Sequence, residues 1–168
     1  MSLGEYLGAG SGTTKLLLHL NGNSNDSSGN GLNGTDTNIT YSKAYGKFNE
    51  GAYFNGTSSR IQLPVSTALD LHTFSHTSVM WVNISSYSTG AHQYYVFGKG
   101  SYANNRTNVA CRIAKNGKVE YFISSNQDAN FDYFITTETL PLNQWNCIVG
   151  VWDKPNRNIK LYLNGSLC

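Results

Sequence analysis

The chain has 168 residues, a formal charge of +2 at pH 7 and only 13% charged side chains, about half the ~25% usual in globular domains. Asn, Gly, Ser and Thr make up 69 of the 168 residues, and 12% are aromatic. That length fits one domain with a sizeable core, the aromatic content excludes a disordered chain, no apolar run approaches the ~18 residues of a membrane span, and the scattered Lys and Arg form no basic stripe for nucleic acid.

Residues 1–12 hold one charge, Glu5, and no apolar segment. They fail the pattern of a secretory signal and read as a flexible segment or an expression scar ahead of a domain over 13–168. From there no apolar pattern of helical period occurs. Short β-rich runs follow one another instead, at 15–20, 38–41, 52–54, 59–63, 77–84, 93–98, 109–114, 118–124, 131–136, 145–152 and 158–163. Their lengths and the turn residues between them predict an all-β sandwich or barrel. Residues 21–37 look like a solvated loop with one large apolar side chain, Leu32. Asn-Gly pairs suit the two positive-φ positions of a type I′ hairpin turn, and Asn116-Gly117 is the best-flanked of them. Asp153-Lys154-Pro155-Asn156-Arg157 reads as another hairpin connection, with Pro presetting φ. Trp81, Trp145 and Trp152 lie within strand patterns and are expected in the core.

Three cysteines, Cys111, Cys147 and Cys168, are an odd count without metal-type spacing. They read as free thiols, with one disulfide and a leftover thiol as the alternative. Asn-x-Ser/Thr triplets start at Asn25, Asn33, Asn38, Asn55, Asn83, Asn105 and Asn164. Their number is only mildly above chance for this composition and is not read as a glycosylation signal.

Catalytic patterns are missing. Glycoside hydrolysis needs two carboxylates flanking a bond, and the nearest pair, Asp128 and Asp132, runs from a loop into a strand. The four histidines are scattered, and no serine sits in a Gly-x-Ser-x-Gly elbow. The chain is therefore expected not to be an enzyme. Calcium is a candidate cofactor, because Asp26, Asn30 and Asp36 place hard oxygen ligands in a Gly-rich loop. Sugar binding needs rings for stacking and planar polar groups for hydroxyls. Tyr87, His92 and Tyr94 offer these in one segment, Tyr102, Asn104 and Arg106 in a second, and Asp128 and Asn130 in a third.

Four segments together resemble a laminin-G-like domain of the concanavalin A-like lectin/glucanase superfamily. The first is Leu16-Leu17-Leu18-His19-Leu20-Asn21-Gly22 followed by Asp26-Ser27-Ser28-Gly29-Asn30-Gly31. The second is Gly46-Lys47-Phe48 followed by Gly51-Ala52-Tyr53-Phe54-Asn55-Gly56. The third is Ser78-Val79-Met80-Trp81-Val82. The fourth is Trp145 to Trp152 followed by Leu161-Tyr162-Leu163-Asn164-Gly165. The order and spacing cover about residues 15–166.

The resemblance implies a two-sheet antiparallel jelly roll and a non-catalytic module that binds surface glycans or proteins, outside the cell or on a cell or virion surface. The opening segment is similar to such domains in phage tails. The family's calcium sites use the loop corresponding to Asp26. Its pattern also continues beyond Asn-Gly, so the resemblance implies that this chain lacks the last strands. An open sheet edge is then expected, through which copies could pair into a homo-oligomer. Neither nucleic acid nor membrane insertion is expected.

Overall fold

The computed structural model describes residues 14–89, 94–101, 106–124 and 131–168. The chain divides into two compact units, 1–69 and 70–168.

The described part of the first unit is built from short strands and long polar turns. β1 (Thr35–Thr37) pairs antiparallel with β4 (Arg60–Gln62), and β2 (Thr40–Ser42) with β3 (Gly51–Tyr53). Tyr45 stacks on Tyr53 at 4.8 Å between ring centroids. The run 15–20 is not the strand its apolar character predicts. It makes one isolated bridge, Leu18 to Asp26. The reason lies in the next segment, which turns back and takes its backbone groups: Ser27 N donates to Leu17 O at 2.8 Å, and Leu17 N donates to Asp26 Oδ1 at 3.1 Å.

Residues 21–37 are the largely solvent-exposed loop that was expected, but an ordered one. They form a hydrogen-bonded knot around Asp26, with Leu32 buried and β1 at the end. A second polar knot closes on Asn55. Its Oδ1 accepts from Thr57 N, Ser58 N, Ser59 N and the Thr57 hydroxyl, at 2.9 to 3.1 Å.

The second unit is a sandwich of two antiparallel sheets. Its strands are β5 (His76–Val82), β6 (Tyr94–Ser101), β7 (Arg106–Ile113), β8 (Lys118–Ser124), β9 (Phe131–Thr139), β10 (Asn146–Asp153), β11 (Asn158–Leu163) and β12 (Ser166–Leu167). One sheet runs β12-β11-β10-β5 and the other β6-β7-β8-β9. Alternate residues point inward, as the strand period of two requires. Val109, Cys111 and Ile113 of β7, Val119, Tyr121 and Ile123 of β8, Ile148 and Trp152 of β10, and Leu161 and Leu163 of β11 form one core with Leu140. Trp152 is buried as expected, but Trp81 is 42% exposed. It shares the outward face of β5 with Val79, because the inward positions of that strand are His76, Ser78, Met80 and Val82.

A polar bolt joins the two sheets through the core. The Tyr121 hydroxyl lies 2.9 Å from His76 Nε2 and 3.0 Å from Ser78 Oγ, so β8 is tied to β5. His76 Nδ1 faces Phe74 O at 3.4 Å. A carbonyl only accepts, so Nδ1 carries the proton, Nε2 accepts from Tyr121, and Ser78 donates to the tyrosine oxygen. Burial lowers the His76 pKa below its ordinary 6.5, and the hydrogen bonds to Phe74 and Leu71 offset this only in part. The neutral tautomer is thus the one the core selects. The Tyr121 ring fits because residue 150 is glycine: a Cβ there would collide with it.

The turns depart from expectation in one respect. Asn116-Gly117 between β7 and β8 has a positive φ only at Gly117, at +79°, so it is not a type I′ pair. The pair with both residues positive is Asn164 (φ 52°) and Gly165 (φ 89°), linking β11 to β12. Asn164 is also anchored: its Oδ1 accepts from Cys147 N at 2.9 Å, and its Nδ2 donates to the buried Asn146 at 3.0 Å. The 153–157 connection is the hairpin that was expected, with β10 and β11 closing at Asp153 and Asn158. All three cysteines are free thiols, and burial pushes the Cys111 pKa up to about 12.

Candidate ligand-binding face

In a half-buried sheet the residues alternating with the core positions form the other face. On β6-β7-β8-β9 that face carries Tyr95 from β6, Arg112 from β7, Glu120 and Phe122 from β8, and Phe131, Tyr133 and Ile135 from β9. The register places Tyr95 opposite Arg112, Arg112 opposite Glu120, and Phe122 opposite Tyr133. Exposure is high for apolar side chains: 64% for Tyr133, 49% for Tyr95, 41% for Ile135 and 38% for Phe131.

The groups interlock. Phe122 and Tyr133 stack with centroids 6.3 Å apart. The Arg112 guanidinium lies 4.3 Å from the Phe122 centroid and 6.0 Å from that of Tyr95, both within cation–π range. It fills the gap on β7, the one strand of this sheet with no ring on the face. Arg112 Nε donates to Glu120 Oε2 at 2.5 Å, and its Nη1 approaches the Tyr95 hydroxyl at 3.4 Å. Burial alone would lower the Arg112 pKa. The hydrogen bonds and charge of Glu120 and Tyr95 outweigh it and hold the pKa above the ordinary arginine value. Tyr95 aligns through Arg112 and Glu120 with Ile135, two residues along β9 from Tyr133, so with strands ~4.8 Å apart and ~3.4 Å per residue the two tyrosines lie about 16 Å apart diagonally across the sheet. The result is a stacking platform with a charged pair set into its middle.

Beyond the β9 side of this face lies a shallow groove lined by Phe131, Asp132, Tyr133, Phe134, Arg157, Asn158 and Ile159. Arg157 pairs with Asp132 at 2.9 Å across it. Asp132, half of the carboxylate pair considered for catalysis, is thus engaged by a guanidinium; Asp128 lies outside the described residues.

The other sugar-site candidates are distributed as follows. His92, Tyr102, Asn104, Asp128 and Asn130 lie outside the described residues. Arg106 opens β7. Tyr94 opens β6 opposite Ile113 and is half-buried, while its neighbour Tyr95 takes the outer face. Tyr87 does structural work: its hydroxyl donates to Leu140 O at 2.7 Å, and its ring occupies the space beside Gly117. The loop reading missed Tyr95, Arg112, Phe122 and Tyr133. The available signal was the alternation in Val119-Glu120-Tyr121-Phe122-Ile123 and in Phe131-Asp132-Tyr133-Phe134-Ile135, where both faces of a strand carry rings.

The candidate calcium ligands meet donors rather than an open site. Asp26 Oδ1 accepts from Leu17 N and Ser28 N, and its Oδ2 from the Ser28 hydroxyl and Leu32 N, at 2.9 to 3.1 Å. Burial raises the Asp26 pKa, but these bonds, chiefly those from Ser28 and Leu32, bring it below 3.8. Asp36 accepts from Ser24 Oγ at 2.6 Å and from the Tyr41 hydroxyl at 2.8 Å. Asn30 spends its amide on Thr14 O and Lys15 O. These N–H and O–H groups take up lone pairs of both carboxylates that a calcium shell would use. Among the described residues, no group of three or more His, Cys, Asp or Glu could hold a metal.

A sequence model of the concanavalin A-like lectin/glucanases superfamily, of the laminin-G-like kind, matches residues 55–168. The chain belongs to this superfamily, in agreement with the two-sheet antiparallel sandwich of its second unit. Among curated proteins the search found no match. Laminin-G-like domains are in general non-catalytic binding modules and are commonly extracellular. No described helix is long and apolar enough to cross a membrane.

Proposed function

We propose that this domain is a non-catalytic module that recognises carbohydrate at a cell or virion surface, using the outer face of β6-β7-β8-β9. One observation carries the reading: exposed Tyr95 and Tyr133 flank a stacked Arg112–Phe122 centre on four paired strands. Sugar rings stack their C–H faces on such side chains, while planar charged groups grip hydroxyls in fixed directions. A rigid sheet also presents these groups at little ordering cost. A glycan array probed with the purified chain, in calcium and again in EDTA, tests the proposal. Binding that persists in EDTA and falls at least about tenfold in Tyr133→Ala supports it. No glycan bound in either buffer contradicts it.

A second reading, a protein-interaction module or a homo-oligomer, is favoured by the opposite sheet. There Val79, Val149, Tyr162 and Leu167 align in register across β5, β10, β11 and β12, with Val79 and Leu167 exposed. A light-scattering mass above that of one chain, restored to the monomer by Val79→Lys, would support it.

A further inference from the structure

The Arg112–Glu120 pair has more bonding capacity than it uses. Glu120 Oε2 takes the Arg112 Nε proton, and among the described residues no donor reaches Oε1. Arg112 donates from Nε and, at 3.4 Å, from Nη1, and among the described residues no acceptor meets Nη2. The pair lies between the two exposed tyrosines, with 22% of the Arg112 side chain and 12% of that of Glu120 still exposed. A guanidinium carries five N–H groups and a carboxylate about four lone-pair sites, so both retain reach after pairing with each other.

Such an arrangement has a defined complement. Two adjacent hydroxyls satisfy it, one donating to Glu120 Oε1 and the other accepting from Arg112 Nη2. A carboxylate or sulfate does not, because its oxygens only accept and would meet the Glu120 charge beside Arg112. The arginine's charge is also already offset by its partner, so little net attraction remains for an anion. The rings set the remaining constraint. Tyr95 on β6, Phe122 on β8 and Tyr133 on β9 lie along a diagonal of the sheet, so a ligand touching Tyr95 and Tyr133 together must cross the strands.

We infer that the ligand of this face is an uncharged, linear glycan lying across β6 to β9, with a vicinal diol of one central sugar held by Arg112 and Glu120. This rests on the carbohydrate-binding reading above and names its class of ligand. Glu120 is the residue that excludes acidic sugars, and Arg112 and Glu120 act as one unit.

The test is an array of neutral and anionic glycans, including neutral gluco- and manno-oligosaccharides, polygalacturonate fragments and sulfated chains. It is probed with the full chain and with its Glu120→Gln and Tyr133→Ala variants, each first checked for a native near-ultraviolet dichroism spectrum. The expected result is binding confined to neutral chains, longer oligomers exceeding disaccharides. Glu120→Gln should lower neutral binding about tenfold and admit uronic acid or sulfated chains that the natural protein rejects. Preference of the unaltered chain for anionic glycans would overturn the inference while leaving carbohydrate recognition standing. So would a Glu120→Gln variant with unchanged selectivity. Absence of all glycan binding by the natural chain would remove both.

Discussion

Residues 14–69 and 70–168 reach order by different physics. The first region is held by polar atoms: Asp26 and Asn55 each gather four donors, and the strands are three residues long. The second is held by a continuous apolar core between two four-stranded sheets, with the Tyr121–His76 polar bolt through it. Polar knots give geometry without much net stability, since each bond replaces one to water and yields only about 1 kcal/mol. An apolar core contributes by area and tolerates polar variation on its outer faces. The candidate binding face lies on the second kind of scaffold, where outward residues are spared from packing.

Alterations of decreasing force would sharpen this contrast. Trp152→Ala, which empties the centre of the core, should cost about 3–5 kcal/mol, read from urea denaturation. Gly150→Ala pushes a Cβ into the Tyr121 ring and should cost about 1–3 kcal/mol by overpacking. Asp26→Ala strands three backbone N–H groups and a hydroxyl near the surface. It should cost about 1–2 kcal/mol and speed amide exchange at Leu17, Ser28 and Leu32 while exchange at Val119 and Ile148 stays unchanged. A uniform change across both regions would contradict the division. Tyr133→Ala should move stability by less than about 0.5 kcal/mol, because its ring is exposed.

Acid should also separate the regions. His76 has its folded pKa below 6.5, so its contribution is complete above pH 6.5. It is lost as the pH falls below that value toward the folded pKa, because the unfolded chain takes the proton first. Asp26 has its folded pKa below 3.8, so its contribution is complete above that value and is lost only as the pH falls through the folded pKa. The second region should weaken first on acidification. Replacing His76 with Gln should flatten the stability profile just below pH 6.5 in a pH series of denaturation curves.

How far the sequence foretold this follows from the same contrast. Strands such as 118–124 and 158–163 were legible to the residue, because one side of each is apolar and turn residues bound them. The run 15–20 misled, since its leucines look like a strand while its backbone is claimed by Asp26, eight or nine residues on. β1 was hidden in Thr35-Asp36-Thr37, which carries no apolar signal. Trp81 looked like core by its type, but only the pairing of β5 with β10 shows which face it takes. The site was sought in loops rich in Tyr and Asn, whereas Tyr95, Arg112, Phe122 and Tyr133 become neighbours only through register. Register links residue 95 through two intervening strands to residue 135, next but one to Tyr133, a relation that no local pattern contains.

The most direct measurement is the affinity of Tyr95→Ala, Tyr133→Ala and their double variant for the strongest neutral glycan on the array, taken beside the unaltered chain in EDTA. Each single variant should lose binding about tenfold and the double variant should lose it entirely, with melting temperatures unchanged. Glycan binding that survives the double variant would place the ligand elsewhere and contradict the account.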